Sequence, residues 1–250
     1  MRNWNWPPAV AALIIGLALV IGTLITAQTI NYVKTFDTSL LNVTGTAQEI
    51  VTSDAVEWDG SFTTTVALAD MKAGYQTMSS DQGLVLSYLT KSGVPAKDVT
   101  FSPVSQSLNY VDCKASPAAC NGFGPDTYQL TENVRVQSSD VQQITKLAQN
   151  TGTLIQEGVL FSTQNLSYYY TKLQALRPKL LAAATRDAQD RARQITASVG
   201  GSVGQLVSVT TEPFEVTPVN SAQVSNAGLY DTSTIRKQVQ AIVQATFRLP

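Results

Sequence analysis

"AATRDAQDRARQITASVG", residues 183–200, is dense in alanine and in charge of both signs, and it reads as one long helix. Wound at about 100° per residue, Leu180, Ala184, Ala188, Ala192, Ile195 and Val199 fall on one side. Alanines on that stripe let the helix backbone approach a sheet closely. Asp187 and Arg191 stand one turn apart, an orientation that supports a helix by about 0.2–0.5 kcal/mol. Arg186, Asp190 and Arg193 form a solvated ladder on the far face. Pro178 suits the first turn and Gly200-Gly201 stops the last, which predicts a helix over Lys179–Val199. The rest of the chain must then supply the sheet.

It does so on both sides. "LLNVTGTAQEIV" (Leu40–Val51) places Leu41, Val43, Gly45 and Ala47 on one face of a strand. "VEWDGSFTTTVAL" alternates more cleanly through Val56, Trp58, Phe62, Val66 and Leu68. Asp70 then reads as the N-cap of a helix with Met71, Tyr75, Met78, Val85 and Leu89 in its stripe, ending where Gly93 takes a left-handed conformation. "VTFSPVSQSLNYV" is a strand whose alternation shifts at Pro103, a bulge or an edge position. "YQLTENVRVQ" is another, with Tyr128, Leu130, Val134 and Val136 on one face. Ser139 and Gln142 have capping-box spacing, with Asp140 at the positive end of a helix through Val141, Ile144, Leu147, Ala148, Leu154 and Ile155. That helix ends at Gly158, and a strand through "VLFSTQNLSYYYTKL" leads to the alanine helix.

Beyond it, "VGQLVSVTTEPFEV" is strand-like, and residues 217–234 are a polar loop without periodicity. The closing strand alternates without a break through Val239, Ala241, Val243, Ala245, Phe247 and Leu249. It holds no internal proline and its charge is Arg248 alone, so it makes a poor blocked edge and is expected in the middle of a sheet or at an interface. The pattern is ββαββαβαββ: an α+β domain with helices packed on an antiparallel or mixed sheet.

Of 250 residues, 44% are hydrophobic and only 14% charged, with a net charge of −1, which gives no electrostatic basis for nucleic-acid binding. Ala9–Ala27 carries no charge and, at about 1.5 Å per residue, just crosses a core of roughly 30 Å. Trp4, Trp6 and Tyr32 flank it as interfacial aromatics do, and Arg2 favours the N-terminus inside. The expected organisation is a short cytoplasmic N-terminus (1–8), a transmembrane signal anchor (9–27), a tether (28–39) and one domain (40–250). The bilayer is then a partner through 9–27, and the domain lies outside. A signal peptide cleaved after Ala27 is the alternative; the long apolar run and the lack of an A-x-A site weigh against it. Cys113 and Cys120, in a Pro/Gly/Ala-rich loop, are expected to close a disulfide in an oxidising compartment; two free thiols are the other reading.

With no histidine in the chain, Ser-His-Asp and Cys-His catalysis are excluded and the common zinc ligand sets are unfilled. Glu49, Asp54, Glu57 and Asp59 flank strands as solvated carboxylates do. No phosphate-cradling glycine motif follows a strand, and "GGSVG" after the alanine helix is a cap and turn. A Ser-Lys or carboxylate-pair hydrolase is the remaining enzymatic alternative, disfavoured by the missing histidine; no cofactor, metal or catalytic residue is expected. "SYYYT" remains as a candidate binding surface: alternation puts Tyr168 and Tyr170 on one face and Tyr169 on the other.

Several stretches together resemble the SIMPL-domain family: "VTGTAQEIVTSDAVEW", "LTKSGVPAKDV", "LIQEGV", "YYYTKLQALRPKLLAAATRDAQDRA" with its trailing "VGGSVGQLVSV", and the closing "IRKQVQAIVQATFRL". The family is named for a molecule that associates with a pelle-like kinase. The resemblance implies a bacterial envelope protein with an α+β domain that assembles with itself into rings or hollow, channel-like oligomers. Relatives are associated with oxidative-stress defence, and no agreed catalytic residues come with the family. Applied to this chain, that implies a non-enzymatic, oligomeric scaffold or chamber, anchored singly in the inner membrane with its domain in the periplasm. The alternatives are a periplasmic form released by signal cleavage and a ligand- or partner-binding module.

Overall fold

The computed structural model describes residues 16–26, 28, 40–110, 126–221 and 228–250. In chain order the elements are β1 Leu40–Thr52, β2 Ala55–Ala67, α1 Met71–Lys91, β3 Val99–Phe101, β4 Ser105–Tyr110, β5 Asp126–Ser138, α2 Val141–Gln149 and α3 Gly152–Gln156. There follow β6 Phe161–Tyr169, α4 Leu173–Ser198, β7 Leu206–Thr211, β8 Glu215–Pro218 and β9 Arg236–Arg248. The fold is α+β, with two antiparallel sheets rather than one. Two compact units are present: one of residues up to Ala47 with Lys179–Pro213 and Ala241–Pro250, the other of Gln48–Pro178 with Phe214–Gln240.

In the first unit, β9 lies between β1 and β7, the central position expected for an unblocked strand. Val43, Ala188, Ala192, Ala245 and Phe247 form its core, with Leu41 and Val203 packed against them. The helix turns its alanines to the sheet, and Leu180, Ala184, Ala188 and Ala192 are buried. The last turn departs from the expected stripe. Ile195 and Val199 are exposed, and Thr196 is buried in their place. A row advancing by four from Ala192 reaches 196, and the Thr196 hydroxyl is satisfied there by the Ala192 carbonyl at 3.0 Å. Asp187 pairs with Arg191 at 2.8 Å as the spacing predicts, and it also accepts the Thr46 N–H at 2.8 Å, tying the helix to β1.

In the second unit the sheet order is β3-β5-β2-β6, with β4 also on β5 and every pairing antiparallel. Its inner face presents Val56, Trp58, Phe62, Leu130, Val134 and Val136 to the buried side chains of the helices, Met78, Val85 and Leu89 of α1, Ile144 of α2 and Leu154 of α3. Trp58 meets Phe161 edge-on at 5.7 Å, and the Trp58 N–H donates to Thr163 Oγ1 at 3.2 Å.

Several boundaries differ from expectation. The strand expected over 99–111 is broken into β3 and β4 around Pro103, both paired to β5. The helix after β5 is capped by Asp140, which accepts from Gln143 N at 2.9 Å, and it breaks at Asn150 into α2 and α3. In α1, Gly74 rather than Tyr75 is buried, because 74, 78, 81, 85 and 89 follow the helical period more closely. Gly93 takes the expected left-handed φ of 89°. The alanine helix starts earlier, at Leu173, with Pro178 inside it. Pro178 has no N–H to donate to the preceding turn; beside it Leu176 is buried and the Arg177 guanidinium lies 5.4 Å over the Phe214 ring.

Residues 16–26 are helical and exposed, while the start of the expected anchor lies outside the described residues. Among the described residues no helix is long and apolar enough to cross a membrane, so the expected transmembrane helix is not found. Cys113 and Cys120 also lie outside the described residues.

Candidate functional site

Because the even residues of β2 point into the core of the second unit, the odd ones point to the opposite face. Glu57 and Asp59 stand there opposite Gln137 and Arg135 of β5, while on the other flank Ser167 stands opposite Glu57 and Tyr169 opposite Ala55. The polar side chains fix one another. Gln137 Nε2 donates to Glu57 Oε2 at 2.7 Å, and Arg135 Nε donates to Asp59 Oδ1 at 2.7 Å while lying 3.6 Å from Glu57 Oε1. The Asp59 hydrogen bond, then the charges of Asp59 and Glu57, push the Arg135 pKa still higher.

At the Tyr169 end of this face lies an open cavity of about 770 Å3. Its floor is Ala55, Val56 and Glu57 of β2 with Gln137 and Ser138 of β5 and the adjoining Ser139. Lys97 and Asp98, in a single 3-10 turn before β3, stand on one side. Tyr169, Tyr170, Thr171 and Tyr230 make the other. Tyr169 and Tyr230 stack with centroids 6.4 Å apart and planes 28° from parallel. The Tyr230 hydroxyl accepts from Tyr170 N at 3.0 Å and donates to Tyr170 O at 3.3 Å. Asp54 holds the next residue, accepting from Thr171 N at 2.7 Å and from its hydroxyl at 3.0 Å.

Of the three adjacent tyrosines, Tyr168 is the buried one, its hydroxyl 3.0 Å from Thr145 Oγ1. Tyr170 does not share its face as strand alternation predicts, because β6 ends at Tyr169 and the chain turns there. Tyr169 and Tyr170 both reach the cavity.

Tyr230 is set by a clasp that pattern reading passed over. Lys237, fully buried, donates to the Asp231 backbone carbonyl at 2.6 Å and to its carboxylate at 3.0 Å. The same carboxylate takes the Ser233 N–H and hydroxyl and the Thr234 N–H and hydroxyl. Burial raises the Asp231 pKa, but these hydrogen bonds outweigh it and hold the carboxyl well below its usual range. The backbone is fastened as well, by Val216 N to Leu229 O at 2.7 Å, Asp231 N to Val216 O at 2.8 Å and Tyr168 N to Thr232 O at 2.8 Å. The latter part of the expected polar loop is therefore firmly held. A signal existed: Lys237 occupies the inward phase of the Val239–Phe247 alternation, where a charge demands a partner.

The profile of one protein family matches residues 41–247. The chain belongs to the SIMPL family. That family is described as a protein of unknown function (DUF541), and no curated protein matches the chain. The matched span takes in every strand of the SIMPL domain but the ends of the first and last, and it includes the whole cavity.

A second SIMPL cavity, of about 430 Å3, adjoins Asp59, Asn133 and Arg135 on the same face and is completed by Thr100, Phe101, Ser102 and Gln164. A register shift between Asp59 and Gly60 opposite β6 leaves Gln164 as an extra residue, and its amide donates to Ser61 Oγ at 2.8 Å. Among the described residues no cluster of three or more His, Cys, Asp or Glu is arranged to hold a metal ion. Glu57 and Asp59, expected as merely solvated carboxylates, are instead part of a fixed polar floor.

Proposed function

We propose that this SIMPL domain is a binding module whose site is the cavity between Tyr169, Tyr170, Tyr230 and the Glu57–Gln137 floor. The observation that carries the proposal is the double fixation of its aromatic wall, by the Tyr230–Tyr170 hydrogen bonds and by the Lys237–Asp231 clasp. Side chains fastened before a ligand arrives lose little freedom on binding, which raises affinity. Binding without chemistry is supported by the commitment of Glu57 to Gln137 and Arg135, and by a chain without an imidazole base.

The test is a thermal-shift screen of small molecules on the full chain, followed by titration calorimetry of the hits against Tyr169→Ala and Tyr230→Ala. Both variants should fold and lose at least tenfold in affinity. Hits whose affinity neither variant alters place the site elsewhere.

A second reading is the self-assembling envelope protein, and its support is β7. This edge strand is exposed along its whole length, and Leu206, Val207 and Val209 present apolar surface on it. An uncovered edge of this kind invites pairing with another copy. Periplasmic placement by an N-terminal anchor belongs to the same reading. Sedimentation of the full chain in detergent, with and without Val209→Lys, tests it: loss of a large species in the variant supports assembly through β7.

A further inference from the structure

The tyrosine cavity and the bulge cavity are neighbours. Glu57 lines the first and Arg135 the second, and their side chains approach to 3.6 Å. Along β2 the step from Glu57 to Asp59 is two residues, about 7 Å. The two hollows thus follow one another along β2 and β5, as consecutive subsites for an elongated ligand lying along the strands would.

We infer that the occupant is a neutral oligosaccharide, one ring against the Tyr169–Tyr230 wall and the next over Arg135 and Asn133. The inference rests on the binding reading proposed for this site. Three features select a sugar. The first is the exposed Tyr230 ring, which offers the C–H face of a pyranose an apolar platform. The second is the kind of polar group present. Gln137, Asn133 and Gln164 each offer both donor and acceptor atoms, and the carboxylates and the Arg135 fork add planar acceptors and donors. Sugar hydroxyls donate and accept at once, and they match such a mixed wall better than an acceptor-only anion does. The third is charge. Among the described residues that line them, Glu57, Asp59 and Asp98 stand with Lys97 and Arg135, so the two cavities together carry one excess negative charge, which disfavours a phosphorylated ligand. A quaternary ammonium fits less well. Tyr169 and Tyr230 lie nearly parallel and stacked on each other, so they form a platform and not a cage around a cation.

The experiment is calorimetry on the full chain in a polyoxyethylene detergent, which carries no sugar head group. The probes are glucose, maltose and maltotriose, the N-acetylglucosamine monomer to tetramer, adenosine, and tetramethylammonium. One saccharide series should bind with a gain of at least tenfold from one residue to two and little beyond two. Tyr230→Ala should abolish binding of the whole series, and Asn133→Ala should remove the gain from the second residue. Circular dichroism of each variant confirms that it folds. Sugar binding that does not grow with length overturns the two-cavity assignment. If no saccharide binds but adenosine or tetramethylammonium does, and Tyr230→Ala abolishes it, the sugar assignment fails while the binding site stands. If none of the probes binds, the assignment fails, and the broader small-molecule screen with its Tyr169→Ala and Tyr230→Ala controls decides the site itself.

Discussion

Gly45 of β1 faces Ala188 of α4 so closely that a methyl group added at Gly45 would stand 2.7 Å from the Ala188 Cβ and press on the Ala184 carbonyl. The alanine row and the glycine are one device: three small residues under a helix and one in the strand let two backbones nearly touch. Gly45→Ala is expected to destabilise the fold by about 1–3 kcal/mol, the usual cost of overpacking, because the obstructing atoms are mostly backbone. Gly83, whose added methyl would meet nothing within 4 Å, gives the opposite case. Gly83→Ala should stabilise by up to about 1 kcal/mol through helix propensity. Urea unfolding of both variants checks the contrast.

Lys237→Met removes a buried cation and leaves the Asp231 carboxylate with only its Ser233 and Thr234 donors. Breaking a buried pair on one side costs about 3–5 kcal/mol. The double variant Lys237→Met/Asp231→Asn should recover part of that loss. A double variant no more stable than the single one would mean that the pair contributes little beyond packing.

The depressed Asp231 pKa has a definite pH signature. Its usual value is 3.8, so the unfolded chain takes up the proton first as the solution is acidified. The stabilisation is complete above that value and is lost as pH falls through the folded pKa below it. Asp231→Asn should therefore flatten the acid limb of a stability–pH curve, while leaving its neutral limb parallel to that of the parent.

Glu132 acts in the other direction. Burial raises its pKa, with the 2.6 Å hydrogen bond from Gln82 partly opposing. Its ionised form is penalised, so its contribution to stability is full below its usual value of 4.5 and is lost as pH rises through the raised folded pKa. Glu132→Gln should be more stable than the parent at pH about 7 and converge with it in acid. Chemical denaturation at both ends of that range measures the crossover.

At the start of α2 the cap is Asp140. Asp140→Ala should cost about 1 kcal/mol and Ser139→Ala almost nothing. Equal losses would return the cap to the residue favoured by capping-box spacing.

These residues also show how far the sequence carries. The periodic core of both units was legible, because Ala184, Ala188 and Ala192, the alternation of β9 and the even residues of β2 each satisfy one period. What escaped depended on where a period ends. Ile195 and Val199 fit a stripe as well as Thr196 does until the helix axis is fixed against a sheet. Tyr170 obeys strand alternation until the strand stops one residue earlier. Capping by Asp140 over Ser139 turns on a backbone angle that composition does not encode. Glu57 and Asp59 read as solvated because their partners Gln137 and Arg135 arrive from a strand some eighty residues away.

The central claim is that a ligand settles against Tyr169, Tyr170 and Tyr230. The most direct measurement is hydrogen exchange of the full chain, with and without the compounds that raise its melting temperature. Ligand should slow exchange in 55–57, 97–98, 137–139, 169–171 and 228–231. Protection confined to the Leu206–Thr211 edge, with those segments unchanged, would contradict the claim.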